Sequence, residues 1–376
     1  MYAFFIICIK IFLNIIYTFM KVFPVKNKIV FISRQYNCES TDFRLLREGL
    51  QNNKPEVTCV MLTKMIGPGL KSKICYSLHI LRQMYHLSTA RIAILDTYCI
   101  PVCILKHRKT LTIIQMWHAS GALKKFGYSV IGKKEGSDQK IASLMDMHKN
   151  YTYVSVSSNA CIPFFAEAFN TSEKCMKVLP HPGLDRLRDF SVRKKIVSLI
   201  YSKYPLLNNH KEKILYAPTF RKNEDMREAI NVLIDVIDLK KYDLIIKLHP
   251  LTQIQINNRN IWELKEFDTI EVLPISDYII TDYSSIIFEA AFLRKPLFFY
   301  AYDLKKYLEE RDFYFDYEKE VPGVVARNPH EIIEAIDKNL FDLEKVERFA
   351  KTYIAEPSIS YTKDWLDFLT DILKRN

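Results

Sequence analysis

Four short runs place histidines, cations and hydroxyls directly after apolar, strand-like segments. These are Trp117-His118-Ala119-Ser120-Gly121, Pro218-Thr219-Phe220-Arg221, Lys247-Leu248-His249-Pro250 and Thr281-Asp282-Tyr283-Ser284-Ser285. A histidine at a strand end, beside small residues that let backbone approach a ligand, is suited to general-base work near neutral pH. His118 has that setting. Arg221 and the Thr219 hydroxyl, after Pro218, are natural phosphate donors, although a plain post-strand turn explains that run nearly as well. Lys247 and His249 alternate along an extended segment, so both face one side and can meet a diphosphate. In the fourth run an apolar strand feeds a hydroxyl-rich turn, and a predicted helix follows with Glu289 in its first turns. Unpaired first-turn amides, the helix dipole and the Ser284 and Ser285 hydroxyls together suit a phosphate. Without a glycine between strand and helix, this is neither a P-loop nor a dinucleotide fingerprint. Arg311 is a further phosphate candidate. The turn Pro182-Gly183-Leu184-Asp185 reads first as structural, with Asp185 its ligand candidate. No Asp-x-Asp is joined by a metal-partner cluster, and Arg221, Lys247, His249 and Arg311 suffice to neutralise a diphosphate without a metal.

Every one of these runs needs a strand that ends where it begins. Apolar segments at 28–33, 57–62, 90–95, 110–115 and 153–156, with helical segments at 44–50 and 73–87 between them, predict a parallel sheet covered on both faces. The pattern restarts after the charged stretch 186–213, with strands at 214–217, 243–248, 278–280 and 297–300. The expected fold class is α/β, with two Rossmann-like domains facing a cleft into which the post-strand loops point. The expected divisions are a membrane-associating helix over 1–24, domains over 25–190 and 191–350, and a C-terminal helix over 351–376 that packs back.

The 376 residues are 49% hydrophobic and carry a net charge of +11. Two ordinary cores are affordable at that length. The positive charge points to anionic partners. Small basic clusters at 106–109, 124–125, 133–134 and 193–195 favour a face that meets anionic lipid, and no nucleic-acid motif accompanies them. Eight cysteines show no CxxC pair, so buried, reduced thiols are expected. Residues 1–23 are the most apolar segment, interrupted by Lys10, Asn14, Thr18 and Lys21 at helical spacing. That stripe predicts a helix lying in a membrane interface rather than crossing it.

Together the runs Trp117 to Gly121, Tyr-Ala-Pro-Thr-Phe-Arg at 216–221, Lys-Leu-His-Pro at 247–250 and the 281–289 stretch resemble the CDP-glycerol glycerophosphotransferase family, the teichoic acid primases and polymerases. The resemblance runs in order from Lys28 to the last helix. It implies a glycosyltransferase-B-like fold and transfer of glycerol phosphate, or ribitol phosphate, from a CDP-alcohol to an acceptor hydroxyl, with release of CMP. The implied partners are CDP-glycerol or CDP-ribitol and an undecaprenyl-type lipid-linked saccharide, at the cytoplasmic membrane face. No cofactor and no nucleic acid are implied. Carried over, His118 is the catalytic base and His249 binds or polarises the diphosphate. Pro218, Thr219, Arg221 and the 282–285 turn contact the CDP-alcohol. Where many members read Trp-His-Gly-Thr-Pro, this chain reads Trp117-His118-Ala119-Ser120-Gly121, which bears on the choice of alcohol and acceptor. A primase or short transferase is expected over a long polymerase. The competing readings are a nucleotide-sugar glycosyltransferase, in which Glu289 holds a ribose, and a non-catalytic precursor-binding protein.

Overall fold

The computed structural model describes residues 2–221, 225–249, 252, 254–256 and 258–375; Met1, Pro250 and Asn376 lie outside them. The chain divides into two compact units. Unit one comprises residues 1–119, 125–185 and 355–376, and unit two comprises 120–124 and 186–354. The short stretch directly after His118 therefore belongs to unit two.

Unit one holds a six-stranded sheet in the order β2-β1-β3-β4-β5-β6. Its strands are β1 (Lys28–Ser33), β2 (Thr58–Thr63), β3 (Ile92–Leu95), β4 (Thr112–Gln115), β5 (Tyr153–Val156) and β6 (Met176–Val178), and all pair in parallel. β1 is buried along its whole length, as a central parallel strand with helices on both faces must be. Three helices matter for the site: α1 (Tyr2–Met20), α2 (Thr41–Asn53) and α3 (Leu70–Thr89). α2 starts at Ser40, whose side chain accepts from the Phe43 amide at 3.2 Å. It buries Phe43, Leu46 and Leu50 in a core shared with Trp365, Leu366, Leu369 and Ile372 of the helix Tyr361–Arg375. The Trp365 indole donates to the Pro180 carbonyl at 2.9 Å and fixes that helix.

Unit two repeats the plan in the order β12-β11-β10-β7-β8-β9. Its strands are β7 (Glu212–Ala217), β8 (Tyr242–Ile246), β9 (Ile261–Trp262), β10 (Tyr278–Thr281), β11 (Leu297–Tyr300) and β12 (Val324–Ala326), again all parallel. The strands expected at 28–33, 153–156 and 297–300 form over those residues. β6, β9 and β12 were not expected. Each has three residues or fewer and lies at a sheet margin, where there is no long apolar run to betray it.

The polar stripe of α1 meets protein at Lys10, Asn14 and Lys21, while Thr18 is exposed and bonds the Asn14 carbonyl. The Lys10 amine donates to the Leu144 carbonyl at 2.7 Å and pairs with Asp146 at 2.5 Å. The Asn14 amide donates to the Ile104 carbonyl at 3.0 Å and its oxygen accepts from the Lys106 amide at 2.9 Å. Lys21 reaches the Lys106 carbonyl at 3.0 Å. The opposite, apolar face is left outward, with Phe4 73%, Phe12 62% and Phe19 72% exposed. The physical reason is that amines and amides need partners, and the loops of unit one supply carbonyls and a carboxylate. The cysteines also depart from expectation: Cys99, Cys103 and Cys161 are buried, but Cys8, Cys38 and Cys75 are exposed, Cys8 on α1 and Cys75 on α3.

Tyr17, fully buried, hydrogen-bonds His107 Nδ1 at 2.8 Å, while His107 Nε2 faces the Val102 carbonyl at 2.8 Å. Burial holds His107 down to about 4, and burial aided by the Arg34 charge holds His148 down to about 3. Both pKa values are lower folded than unfolded, so the unfolded chain takes up protons first as pH falls. The contribution of these two histidines is therefore constant above about 6.5 and declines as pH falls to about 4 for His107 and about 3 for His148. Thermal melting followed across that window is expected to show a falling Tm, with a shallower slope in His107→Gln.

Candidate functional site

In unit one the chemistry gathers at the carboxyl ends of β1, β3 and β4. Gln115, the last residue of β4, is fully buried. Its amide nitrogen donates to the Thr97 carbonyl at 3.1 Å and the Tyr151 hydroxyl at 3.0 Å, and its oxygen accepts from the Trp117 amide at 2.9 Å. These bonds hold Trp117 in a left-handed conformation, φ 65°, which a tryptophan seldom adopts. The Trp117 ring stacks on Phe126 at 4.8 Å. Trp117 thus acts as a clamp that turns the chain so that the next residue, His118, projects outward and exposed. His118 Nδ1 lies 3.0 Å from the Asp96 carbonyl. A carbonyl only accepts, so Nδ1 carries the hydrogen and Nε2 keeps its lone pair, which is the tautomer a general base requires.

Beyond Ala119 the motif passes to unit two. The Ser120 hydroxyl donates to Glu289 Oε1 at 2.6 Å. Gly121 lies against the Phe288 ring, where a Cβ would come within 2.5 Å of ring carbons. Lys124 bridges to Phe313, and the Tyr314 amide donates to the Leu123 carbonyl at 3.2 Å. Ser120 and Gly121 are therefore docking residues of this stretch in the structure, and Glu289 is engaged by Ser120 rather than held open for a ribose. Gly121→Val is expected to displace this stretch, measured as a lowered Tm.

The 281–285 turn is organised around a buried charge. Asp282 is fully buried and accepts from the Thr219 amide at 2.8 Å, the Tyr283 amide at 2.5 Å and Arg221 Nη1 at 2.6 Å. Arg221 also meets Asp303 through Nε at 2.6 Å and Nη2 at 2.9 Å, and lies 5.2 Å from the Tyr283 ring and 4.9 Å from the Tyr302 ring. Burial opposes the Arg221 charge, but the two carboxylates raise its pKa well above the ordinary value. In this structure the Arg221 guanidinium is shared by two carboxylates, and Asp282 ties the Pro218-Thr219 turn to β10. Pro218 is buried in that turn, and the Thr219 Oγ1 is buried with no hydrogen-bond partner. Ser284 and Ser285 are half-buried ahead of the helix Ile286–Phe292. The Ile287 and Phe288 amides turn back onto the Ser284 and Ser285 carbonyls at 3.4 and 3.1 Å, so the first turn is less open than a phosphate cradle requires. Arg311 ends the helix Leu304–Glu310, with its amide on the Tyr307 carbonyl.

Lys247 and His249 follow β8 and line a cavity of about 620 Å³ with Glu263, Phe267, Asp268 and Thr269. The Lys247 amine donates to the Leu264 and Phe267 carbonyls at 2.9 and 2.7 Å, which fixes it on the cavity wall. His249 is exposed, 5.4 Å from the Phe220 ring. Partial desolvation, then the Lys124 charge, lower its pKa below the ordinary value. Asp185 has a structural role in its turn, the reading put first for it. Both its oxygens accept helix-start amides, Tyr361 at 2.9 Å and Thr362 at 2.8 Å, which makes it the cap of the last helix of unit one. No group of three or more His, Cys, Asp or Glu side chains among the described residues gathers to hold a metal. Asp303, the second partner of Arg221, lies three residues beyond β11 in the Tyr300-Ala301-Tyr302-Asp303 run and was not among the expected site residues.

The sequence profile of the family described as CDP-Glycerol:Poly(glycerophosphate) glycerophosphotransferase matches residues 15–356. The chain belongs to that family. It is 34% identical over 93% of its length, and 92% of the relative's, to the teichoic acid ribitol-phosphate primase of Bacillus spizizenii (strain ATCC 23059 / NRRL B-14472 / W23). It is 28% identical over 79% of its length, and 77% of the relative's, to the teichoic acid glycerol-phosphate primase of Bacillus subtilis (strain 168). Of the teichoic acid poly(ribitol-phosphate) polymerase of the same Bacillus spizizenii strain it is 31% identical over 89% of its own length, but spans only 54% of the relative's. The solved structure of the wall teichoic acid polymerase TagF superposes with a TM-score of 0.76, at 21% identity, over 99% of this chain and 98% of that one. The fold of this family member is thus that of TagF.

Proposed function

We propose that this family member transfers an alditol phosphate from a CDP-alcohol to a hydroxyl of a lipid-linked teichoic acid precursor. The observation that carries the reading is His118, presented as the Nε2 base in a chain whose family match spans 15–356. His118 Nε2 takes the proton of the acceptor hydroxyl, whose oxygen bonds to the β-phosphorus of the CDP-alcohol. The bond from that phosphorus to the bridging oxygen breaks, and CMP leaves with the bridging oxygen and its electron pair. On unit two, His249 and the cavity it lines receive the CDP-alcohol, with Thr219, Ser284, Ser285 and Arg311 as further contacts. The alcohol expected from the resemblance is glycerol. The higher identity and coverage with the ribitol-phosphate primase favour ribitol as a second reading. CMP release measured with CDP-glycerol and CDP-ribitol side by side, on a lipid-linked acceptor, tests both. Release of a nucleoside diphosphate from a nucleotide sugar instead would overturn the transferase reading.

The outward apolar face of α1 is the proposed membrane contact, with the protein on the cytoplasmic side. Burying three phenylalanines stabilises such contact by several kcal/mol, at roughly 1.5–3 kcal/mol each. The variant Phe4→Asp, Phe12→Asp, Phe19→Asp is expected to stop co-floating with anionic vesicles while it keeps its fold. Undiminished flotation would refute the contact.

A further inference from the structure

Arg34 follows β1 at the edge of the unit-one sheet where His118 follows β4, and no motif pointed to it. It is half-buried, and it makes no ion pair among the described residues. Its Nε is buried with no hydrogen-bond partner. Its amide donates to the Thr97 hydroxyl at 3.3 Å, and its guanidinium lies 5.5 Å from the Tyr98 ring. The Tyr76 hydroxyl lies beside both Arg34 and Gln83, and burial pushes it up to about 12. Gln83 is fully buried, and its Nε2 also lacks a partner. Asp96, directly after the neighbouring strand β3, is 4% exposed. Burial, and to a lesser degree the Asp42 charge, push it up to about 7, so it is a poor counter-ion for an arginine.

A guanidinium without a carboxylate, with its Nε donor unspent and an aromatic ring nearby, is suited to receive an anion. Its position bears on which anion. β1 and β4 are separated by β3 alone, so Arg34 and His118 emerge about 10 Å apart at the usual strand spacing. That leaves room for a sugar between a bound phosphate and a reacting hydroxyl. Tyr76 and Gln83 lie on the inner face of α3, whose outer face exposes Leu70 74%, Ile74 55% and Leu78 63%. One helix therefore joins an apolar exterior to a polar interior, as a ligand with both a lipid tail and a phosphate requires.

We propose that Arg34, with Tyr76 and Gln83, forms an anion site on unit one that holds the phosphate group linking lipid and saccharide in the acceptor. The assignment of that anion to the acceptor rests on the transferase reading above. The test uses the full chain with two acceptors, a prenyl diphosphate saccharide and the same saccharide on an uncharged alkyl chain. Arg34→Gln is expected to raise the KM for the diphosphate acceptor about 10- to 100-fold, the range for a lost charged hydrogen bond. The KM for the CDP-alcohol and the rate on the alkyl saccharide are expected to stay unchanged, and Arg34→Lys is expected to recover part of the loss. Equal loss on both acceptors, or no loss, overturns the site. A second measurement needs no turnover: calorimetric titration of the unaltered protein with a short prenyl diphosphate. Saturable binding that Arg34→Gln removes supports the anion site even if no CMP is ever released, in which case only the transferase reading fails. Absence of saturable binding overturns the site itself.

Discussion

Replacing His118 with alanine is expected to lower kcat for CMP release by about 10²–10⁴-fold, the usual range for loss of a general base. The fold is expected to survive, because the ring is exposed and its hydrogen bond to the Asp96 carbonyl is replaceable by water. The KM for the CDP-alcohol is expected to stay near its original value, because that substrate is assigned to unit two. Steady-state kinetics with circular dichroism of the variant check all three statements. Unchanged turnover would remove His118 from the mechanism. His249→Ala is expected to behave differently, raising the KM for the CDP-alcohol as well as lowering kcat.

The largest stability effect is expected from Arg221→Met. This change removes the cation between Asp282, fully buried, and Asp303, and leaves two carboxylates facing a space with no counter-charge. Breaking a buried pair in this way costs about 3–5 kcal/mol. The Thr219 amide and the Tyr283 hydroxyl, bonded to Asp282 and Asp303, would lose a fixed partner geometry. The variant is therefore expected to melt at lower temperature and to lose activity together. The triple variant Arg221→Met, Asp282→Asn, Asp303→Asn is expected to regain part of the stability, because the uncompensated charge is gone. If Arg221→Met melted like the unaltered protein, the role of Arg221 as a brace would be refuted.

Strand ends were legible because central parallel strands are continuous apolar runs, and residues 28–33 and 297–300 show them unmixed. That positioned His118, Thr219, His249 and Asp282 after strands before any coordinates. What each does there was less legible. Arg221 and Asp303 are 82 residues apart, and their pairing has no local signature. The same holds for Asp185, whose partners lie 176 and 177 residues further on. Arg34 stood in no motif, and only the absence of a counter-ion sets it apart. In α1 the periodicity was legible, but the partners that Lys10 and Asn14 of its polar stripe find 90 to 136 residues away were not.

The docking of α1 also sets an order of events during synthesis. Its polar side chains find their partners at Ile104, Lys106, Leu144 and Asp146, sequence separations of 90 to 136 residues. At about 5–20 residues per second, the nearest of those partners is made roughly 5–20 s after Asn14. For that interval the nascent helix has an unmatched lysine and asparagine on one side and bare phenylalanines on the other. Whatever shelters it then, bilayer or chaperone, meets the protein before either sheet exists. Mutations in the 104–146 loops are thus expected to lower yield in cells more than they lower the melting temperature of the purified protein.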